Sequence, residues 1–236
     1  MRSLESSPIA KTVMAVILFA LIVGGWMLFT RYRDASAILP DDKASTSAVR
    51  QPCALWFVGS SSINRWRSLD RDMAPWIAHN RGIDGATFAE ILPRFANVQA
   101  VRPEAIILYA GENDIAQGVP LRMIVRQLAA FLALRSQIMG DVPVLVLSAK
   151  PSPGRWASLA DQHILSDAAR RLLGRFPNSY YADITTPLLQ GGKLGDNYHA
   201  DGVHMNDAGY RIWANVVQRR LTQVLPAATI RRCMPA

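Results

Sequence analysis

Apolar and polar positions alternate along this chain in blocks, with short unbroken apolar runs that close on polar turns. The first run, Ala54-Leu55-Trp56-Phe57-Val58, ends at Gly59-Ser60-Ser61-Ser62 and reads as a strand buried on both faces. Residues 64–73 follow, with Trp66 and Leu69 spaced for one buried helical face. Residues 76–80 form a short second run, which leads into a turn holding Gly82 and Gly85 and then a helical pattern over 86–98. A third run, 105–110, closes on Gly111-Glu112-Asn113-Asp114. The spacing of Leu121, Ile124, Val125, Leu128, Phe131, Leu132 and Ile138 predicts a long helix over 120–139, stopped by Gly140-Asp141. A fourth strand is expected over 142–147, then a rigid proline-containing loop at 150–156 and a helix over 158–175. A short strand over 180–184 and a last helix over 206–224 complete the pattern, the helix preceded by Asp201-Gly202-Val203-His204.

Strand and helix alternate throughout, which predicts a parallel sheet with helices on both faces: an α/β domain of three layers, α/β/α. The polar turns that follow the strands then gather along one edge of the sheet, where open α/β folds place their chemistry.

The 236 residues, half of them apolar, suffice for one well-buried domain. Residues 12–30 carry no charge over 19 positions, a length that matches a hydrocarbon core of about 30 Å. The expected organisation is a transmembrane anchor in 1–33, a polar linker over 34–52 and the folded domain over 53–236. A cleaved signal peptide is the alternative, because Ala35-Ser36-Ala37 has the small-x-small form. The length of the run and the intervening Arg31 and Arg33 favour the uncleaved anchor. Orientation is open, since Arg2 and Lys11 on one side face Arg31, Arg33 and Lys43 on the other.

The net charge of +8 does not point to nucleic acid, because the arginines are dispersed and do not line one aromatic-studded segment. Cys53 precedes the first strand and Cys233 lies near the C-terminus, so either a disulfide across the whole domain or two separate thiols fits the sequence. A bridge would place the domain outside the cytoplasm. No Cys/His cluster has metal-ligand spacing, and neither phosphate-loop pattern occurs at the first strand, so no metal or cofactor is expected.

A serine hydroxyl becomes a nucleophile when a base takes its proton, and the base works best when a carboxylate fixes its tautomer. The histidines are His79, His163, His199 and His204. His204 has Asp201 three residues before it, and His199 stands in the same relation to Asp196. Acyl transfer also needs donors for an oxyanion, and the turns offer the Ser61 N–H, the Gly85 N–H and the Asn113 side-chain amide. Taken singly, Gly85 reads as a turn residue and Asn113 as a helix cap.

In order along the chain, Gly59-Ser60-Ser61-Ser62, Gly82 to Gly85, Gly111-Glu112-Asn113-Asp114 and Asp201-Gly202-Val203-His204 resemble the four blocks of the SGNH (GDSL-type) hydrolases. The resemblance spans about residues 55–210 and implies a flavodoxin-like fold with a five-stranded parallel sheet. It also implies a serine ester hydrolase of the esterase, lipase or acetylesterase type. Ser61 would be the nucleophile, His204 the base, Asp201 its orienting carboxylate, and Ser61, Gly85 and Asn113 the oxyanion donors. The substrates that the resemblance implies range over lysophospholipids, simple acyl esters, acetylated carbohydrates and thioesters, so a small-molecule or a lipid or carbohydrate ester is expected as partner. Ser60 stands where the family usually has Asp, which leaves open a catalytically inactive, membrane-tethered binding domain; because three serines are adjacent, the assignment to Ser61 depends on alignment with Gly59, and Ser60 and Ser62 are fallback nucleophiles. Arg155, Trp156 and Tyr198 are candidates either for the pocket wall or for packing at the sheet edge.

Overall fold

A computed structural model describes residues 52–98 and 102–234, with Leu39 and Pro40, and in a separate N-terminal unit Met14, Ile17 and Phe19. The strands are β1 (Ala54–Gly59), β2 (Ile77–Gly82), β3 (Ala105–Tyr109), β4 (Val144–Leu147) and β5 (Ser179–Ala182), with a small hairpin β6 (Leu189–Gln190) and β7 (Lys193–Leu194). The helices are α1 (Ser61–Asn64), α2 (Leu69–Met73), α3 (Phe88–Ala96), α4 (Glu112–Ala116), α5 (Leu121–Met139), α6 (Leu159–Leu173), α7 (Thr185–Leu188), α8 (Asp207–Val224) and α9 (Ala227–Cys233). The first five strands form one parallel sheet in the order β2-β1-β3-β4-β5. This is the flavodoxin-like order, and its direction of growth reverses between β1 and β3.

Because successive side chains of a strand point to opposite faces, each strand feeds two cores. Leu55, Phe57, Ile107 and Leu145 pack with Trp66, Tyr210 and Trp213, beneath α1, α2, α8 and α9. Trp56, Val58, Ile106, Leu108, Val144 and Val146 pack with Phe88, Ile91, Phe95, Leu128 and Phe131, beneath α3, α5 and α6. All six residues of β1 are buried, as an uninterrupted apolar run requires. Leu39, inside the stretch expected as linker, is 1% exposed and belongs to the second core.

The expected helix over 64–73 is two pieces. Its apolar spacing continues from Ile63 to Met73, but the chain breaks at Arg65–Ser68, where the Trp66 indole and the Ser68 hydroxyl both donate to the Asp72 carboxylate. β5 ends at Ala182, short of the expected 184, because Asp183 accepts the backbone amides of Thr185 and Thr186 and starts α7. Helices α4 and α9 and the β6–β7 hairpin are too short to leave a periodic signal.

Gly59 is required by a close approach. A Cβ there would lie 2.1 Å from the Tyr109 carbonyl oxygen, and the next residue, Ser60, donates its N–H to that same oxygen at 3.1 Å. The serine turn is thereby fixed against the end of β3.

Cys53 and Cys233 are joined as a disulfide with a Cα–Cα distance of 5.3 Å, closing the residue before β1 onto the last residue of α9. The expected anchor at 12–30 lies outside the described residues apart from Met14, Ile17 and Phe19, which are helical and exposed. Among the described residues no helix is long and apolar enough to cross a membrane.

A cross-link across 180 residues constrains the unfolded chain strongly, by about 5 kcal/mol in the chain-entropy model. Replacing both cysteines by serine is expected to lower the unfolding free energy by about 2–5 kcal/mol, read as a lower urea midpoint than the oxidised protein shows. An unchanged midpoint would show that the bridge does not constrain the unfolded state.

Candidate active site

Four turns at the carboxyl edge of the sheet meet beside the reversal between β1 and β3. Ser61 opens α1 directly after β1. Its Oγ lies 3.0 Å from His204 Nε2, and His204 Nδ1 lies 2.7 Å from Asp201 Oδ2. Ser60 and Ser62 have no such contact. Ser60 contributes through its backbone, its carbonyl accepting from Ile63 and Asn64, while its side chain caps nothing. The Ser62 carbonyl accepts from the Tyr210 hydroxyl at 3.0 Å.

The turn carrying His204 is held from both ends. Asn206 caps α8 by accepting from the amides of Ala208 and Gly209. The His199 amide donates to the His204 carbonyl at 2.8 Å, so His199, itself exposed, braces the turn through its backbone. Asp201 Oδ1 accepts the amides of Val203 and His204, both at 2.9 Å, which leaves Oδ2 for the imidazole. The His204 amide first, with the imidazole and the Val203 amide, holds the Asp201 carboxyl well below the usual carboxylate range against the opposing effect of burial. A carboxylate fixed at Nδ1 selects the tautomer that leaves Nε2 free to accept a proton from Ser61.

Gly85 has φ +70°, in the left-handed region that favours glycine, and a Cβ there would meet no atom within 4 Å, so conformation and not crowding requires it. Its neighbours tie it to the site. Ala86 accepts at its carbonyl from Asn113 Nδ2 at 3.0 Å. Asp84 accepts two bonds of 3.1 Å from Arg65, whose third nitrogen lies 3.2 Å from His204 Nδ1. Among the described residues nothing accepts the N–H of Ser61 or of Gly85. Asn113, in the first turn of α4, is buried, and the next residue, Asp114, accepts the Phe88 amide that begins α3. Burial pushes the Asp114 carboxyl upward.

Sequence reasoning missed Arg65, Glu112 and Lys150 behind these groups and offered Arg155 only as a candidate for the pocket wall or for packing at the sheet edge. Arg65 was hidden inside an expected helix. The buried Glu112–Lys150 pair and the half-buried Arg155 form a charged cluster against Asn113. The available signal was Lys150 itself: a lysine three residues beyond the buried apolar run of β4 has to be paired if it is buried. Trp156 is 43% exposed, and the Tyr198 hydroxyl donates to the Pro151 carbonyl. Among the described residues no group of His, Cys, Asp or Glu is placed to hold a metal ion.

The fold and the site define a flavodoxin-like α/β protein with a serine, a histidine and an aspartate in one hydrogen-bonded row at the strand-order reversal. The family model of the GDSL-like lipase/acylhydrolases matches residues 51–212, and the chain belongs to that family of hydrolases. Solved structures share the fold. A Streptococcus pneumonia protein provisionally described as a platelet activating factor superposes with TM-score 0.69 at 21% identity, over 89% of this chain and 99% of its own. A GDSL-like lipase from Bacteroides thetaiotaomicron gives 0.60 at 21% identity, over 78% and 96%. An acetylxylan esterase from Geobacillus stearothermophilus gives 0.59 at 16%, over 73% and 95%. No curated protein matches the chain.

The lowered Asp201 pKa sets a pH dependence with a definite sign. The contribution of its two backbone bonds is fully present above the ordinary aspartate value of 3.8 and is lost as pH falls through the lower folded value. A carbon-detected NMR titration of the Asp201 carboxyl is expected to give a midpoint below 3.8; a midpoint at or above it would mean that the amides do not hold the carboxylate.

Proposed function

We propose that this protein hydrolyses carboxylic esters through an acyl-enzyme formed on Ser61. The observation that carries the reading is the row Ser61 Oγ to His204 Nε2 at 3.0 Å and His204 Nδ1 to Asp201 Oδ2 at 2.7 Å. His204 Nε2 takes the Ser61 proton while Oγ bonds to the ester carbonyl carbon. Negative charge then gathers on the carbonyl oxygen, toward which the N–H groups of Ser61 and Gly85 and the Asn113 amide nitrogen are offered. The ester C–O bond breaks, and the departing alcohol receives the proton from Nε2. Water repeats the sequence and releases the acid, with Asp201 stabilising the imidazolium each time.

Ser60 in place of the family's Asp does not argue against this reading. The work at position 60 is done by its backbone, and the Asp201 carboxylate is oriented by its own turn. The substrate class we propose is lipid-derived esters or acetylated carbohydrates, a reading supported by the family and by solved neighbours that include a lipase and an acetylxylan esterase. We further read residues 12–30 as an uncleaved membrane anchor carrying the domain on the extracytoplasmic side. Support comes from 19 uncharged positions and from the Cys53–Cys233 bridge, since structural disulfides persist in oxidising compartments.

Fluorophosphonate treatment is expected to modify Ser61, located by peptide mass, and both Ser61→Ala and His204→Ala should abolish the label. Asp201→Asn should lower kcat by up to about 10⁴-fold by spoiling the tautomer. Absence of label on folded wild-type protein would favour a non-catalytic binding domain. For the anchor, the full chain should stay with alkaline-washed membranes and a chain lacking residues 1–33 should not; equal release of both would remove the tether.

A further inference from the structure

Outside the serine-histidine-aspartate row, the proposed reaction leaves unused a charge cluster built on a buried ion pair, to which the half-buried Arg155 is joined. Glu112 and Lys150 are 3% and 0% exposed. Lys150 Nζ lies 3.1 and 3.0 Å from the two carboxylate oxygens, and the Tyr109 hydroxyl donates to the same carboxylate. Arg155 Nη1 lies 3.0 Å from Glu112 Oε1. Burial pushes the Lys150 ammonium downward and the neighbouring carboxylate opposes it, so one carboxylate answers two cations.

Arg155 is the member that reaches the site. Its Nη2 donates to Asn113 Oδ1 at 2.8 Å, and the opposite end of that amide, Nδ2, donates to the Ala86 carbonyl at 3.0 Å. A guanidinium only donates and a carbonyl only accepts, so the two contacts admit one orientation of the amide. Reversal would set NH2 against guanidinium and carbonyl against carbonyl at a buried side chain. In the orientation observed, one Nδ2 hydrogen goes to Ala86 and the second is left for a ligand.

We propose that Arg155 is a positioning residue: fixed by Glu112, it holds the Asn113 amide with nitrogen rather than oxygen toward the developing oxyanion. The proposal rests on the reading of Asn113 as an oxyanion donor. The loop that carries Arg155 also reaches the other half of the site. The Gly154 amide donates to the Gly202 carbonyl at 2.8 Å, and the Tyr198 hydroxyl donates to Pro151. With Pro151 and Pro153 limiting its backbone, the segment joins Asn113 to the turn of Asp201 and His204.

The test compares Arg155→Met, Asn113→Ala and the double variant on p-nitrophenyl acetate. Arg155→Met should lower kcat by about 10- to 100-fold with KM changed less than about threefold, and should cost less than about twofold more in the Asn113→Ala background. The same fold loss in both backgrounds would mean that Arg155 acts on substrate directly and would overturn the proposal, as would an unchanged kcat. Should Asn113→Ala fail to fold, the side-chain amide signals of Asn113 decide. Arg155→Met should shift or broaden that NH2 pair relative to wild type, and an unmoved pair overturns the proposal. A wild-type protein without esterase activity or fluorophosphonate label would overturn the functional reading itself, and with it the catalytic role given to Arg155. An active wild type with additive variants removes the positioning role alone.

Discussion

A carboxylate taken almost wholly out of water must be met by cations and donors, and at Glu112 that requirement gathers three stretches of chain. Tyr109 comes from the end of β3, Lys150 from the turn after β4, and Arg155 from the loop beyond it. Arg155 then extends to Asn113, and the same loop is bonded to Gly202 within the turn of His204. The relative placement of the groups around Ser61 thus depends on one buried charge and the side chains obliged to answer it.

The sheet supplies the frame for that arrangement. Reversal of strand order between β1 and β3 leaves a crevice at the carboxyl edge, and the turns after these two strands carry Ser61 and Asn113. Close contact between them is enforced at Gly59, whose missing side chain allows the Ser60 amide to reach the Tyr109 carbonyl. A second bridge, Arg65 to Asp84, brings the Gly85 turn toward His204 from the opposite side. Asp201 needs no help from position 60, because its carboxylate is occupied by amides of its own turn and by the imidazole.

Much of this was legible in the residues alone. Short, fully apolar runs rich in β-branched and aromatic residues that end in polar turns fit strands covered on both faces, so β1, β3 and β4, the alternation with helices and the gathering of polar turns on one edge follow from burial and connectivity. The pairing of Asp201 with His204 is local, within reach of one turn, and for that reason was readable. The family membership came from the order of four blocks, each weak by itself. What tertiary structure decided are contacts between residues far apart in sequence whose local patterns are silent. Ser61 is singled out from its two neighbours by a bond across 143 positions. The break at Arg65–Ser68 reflects the shared acceptor Asp72, which apolar periodicity cannot reveal. The disulfide, equally compatible with two free thiols in the sequence, required the first and last elements to meet. Arg65, Glu112, Lys150 and Arg155 are ordinary charged residues until the fold buries or aims them, because the free energy of a charge is set by its surroundings and not by its place in the chain.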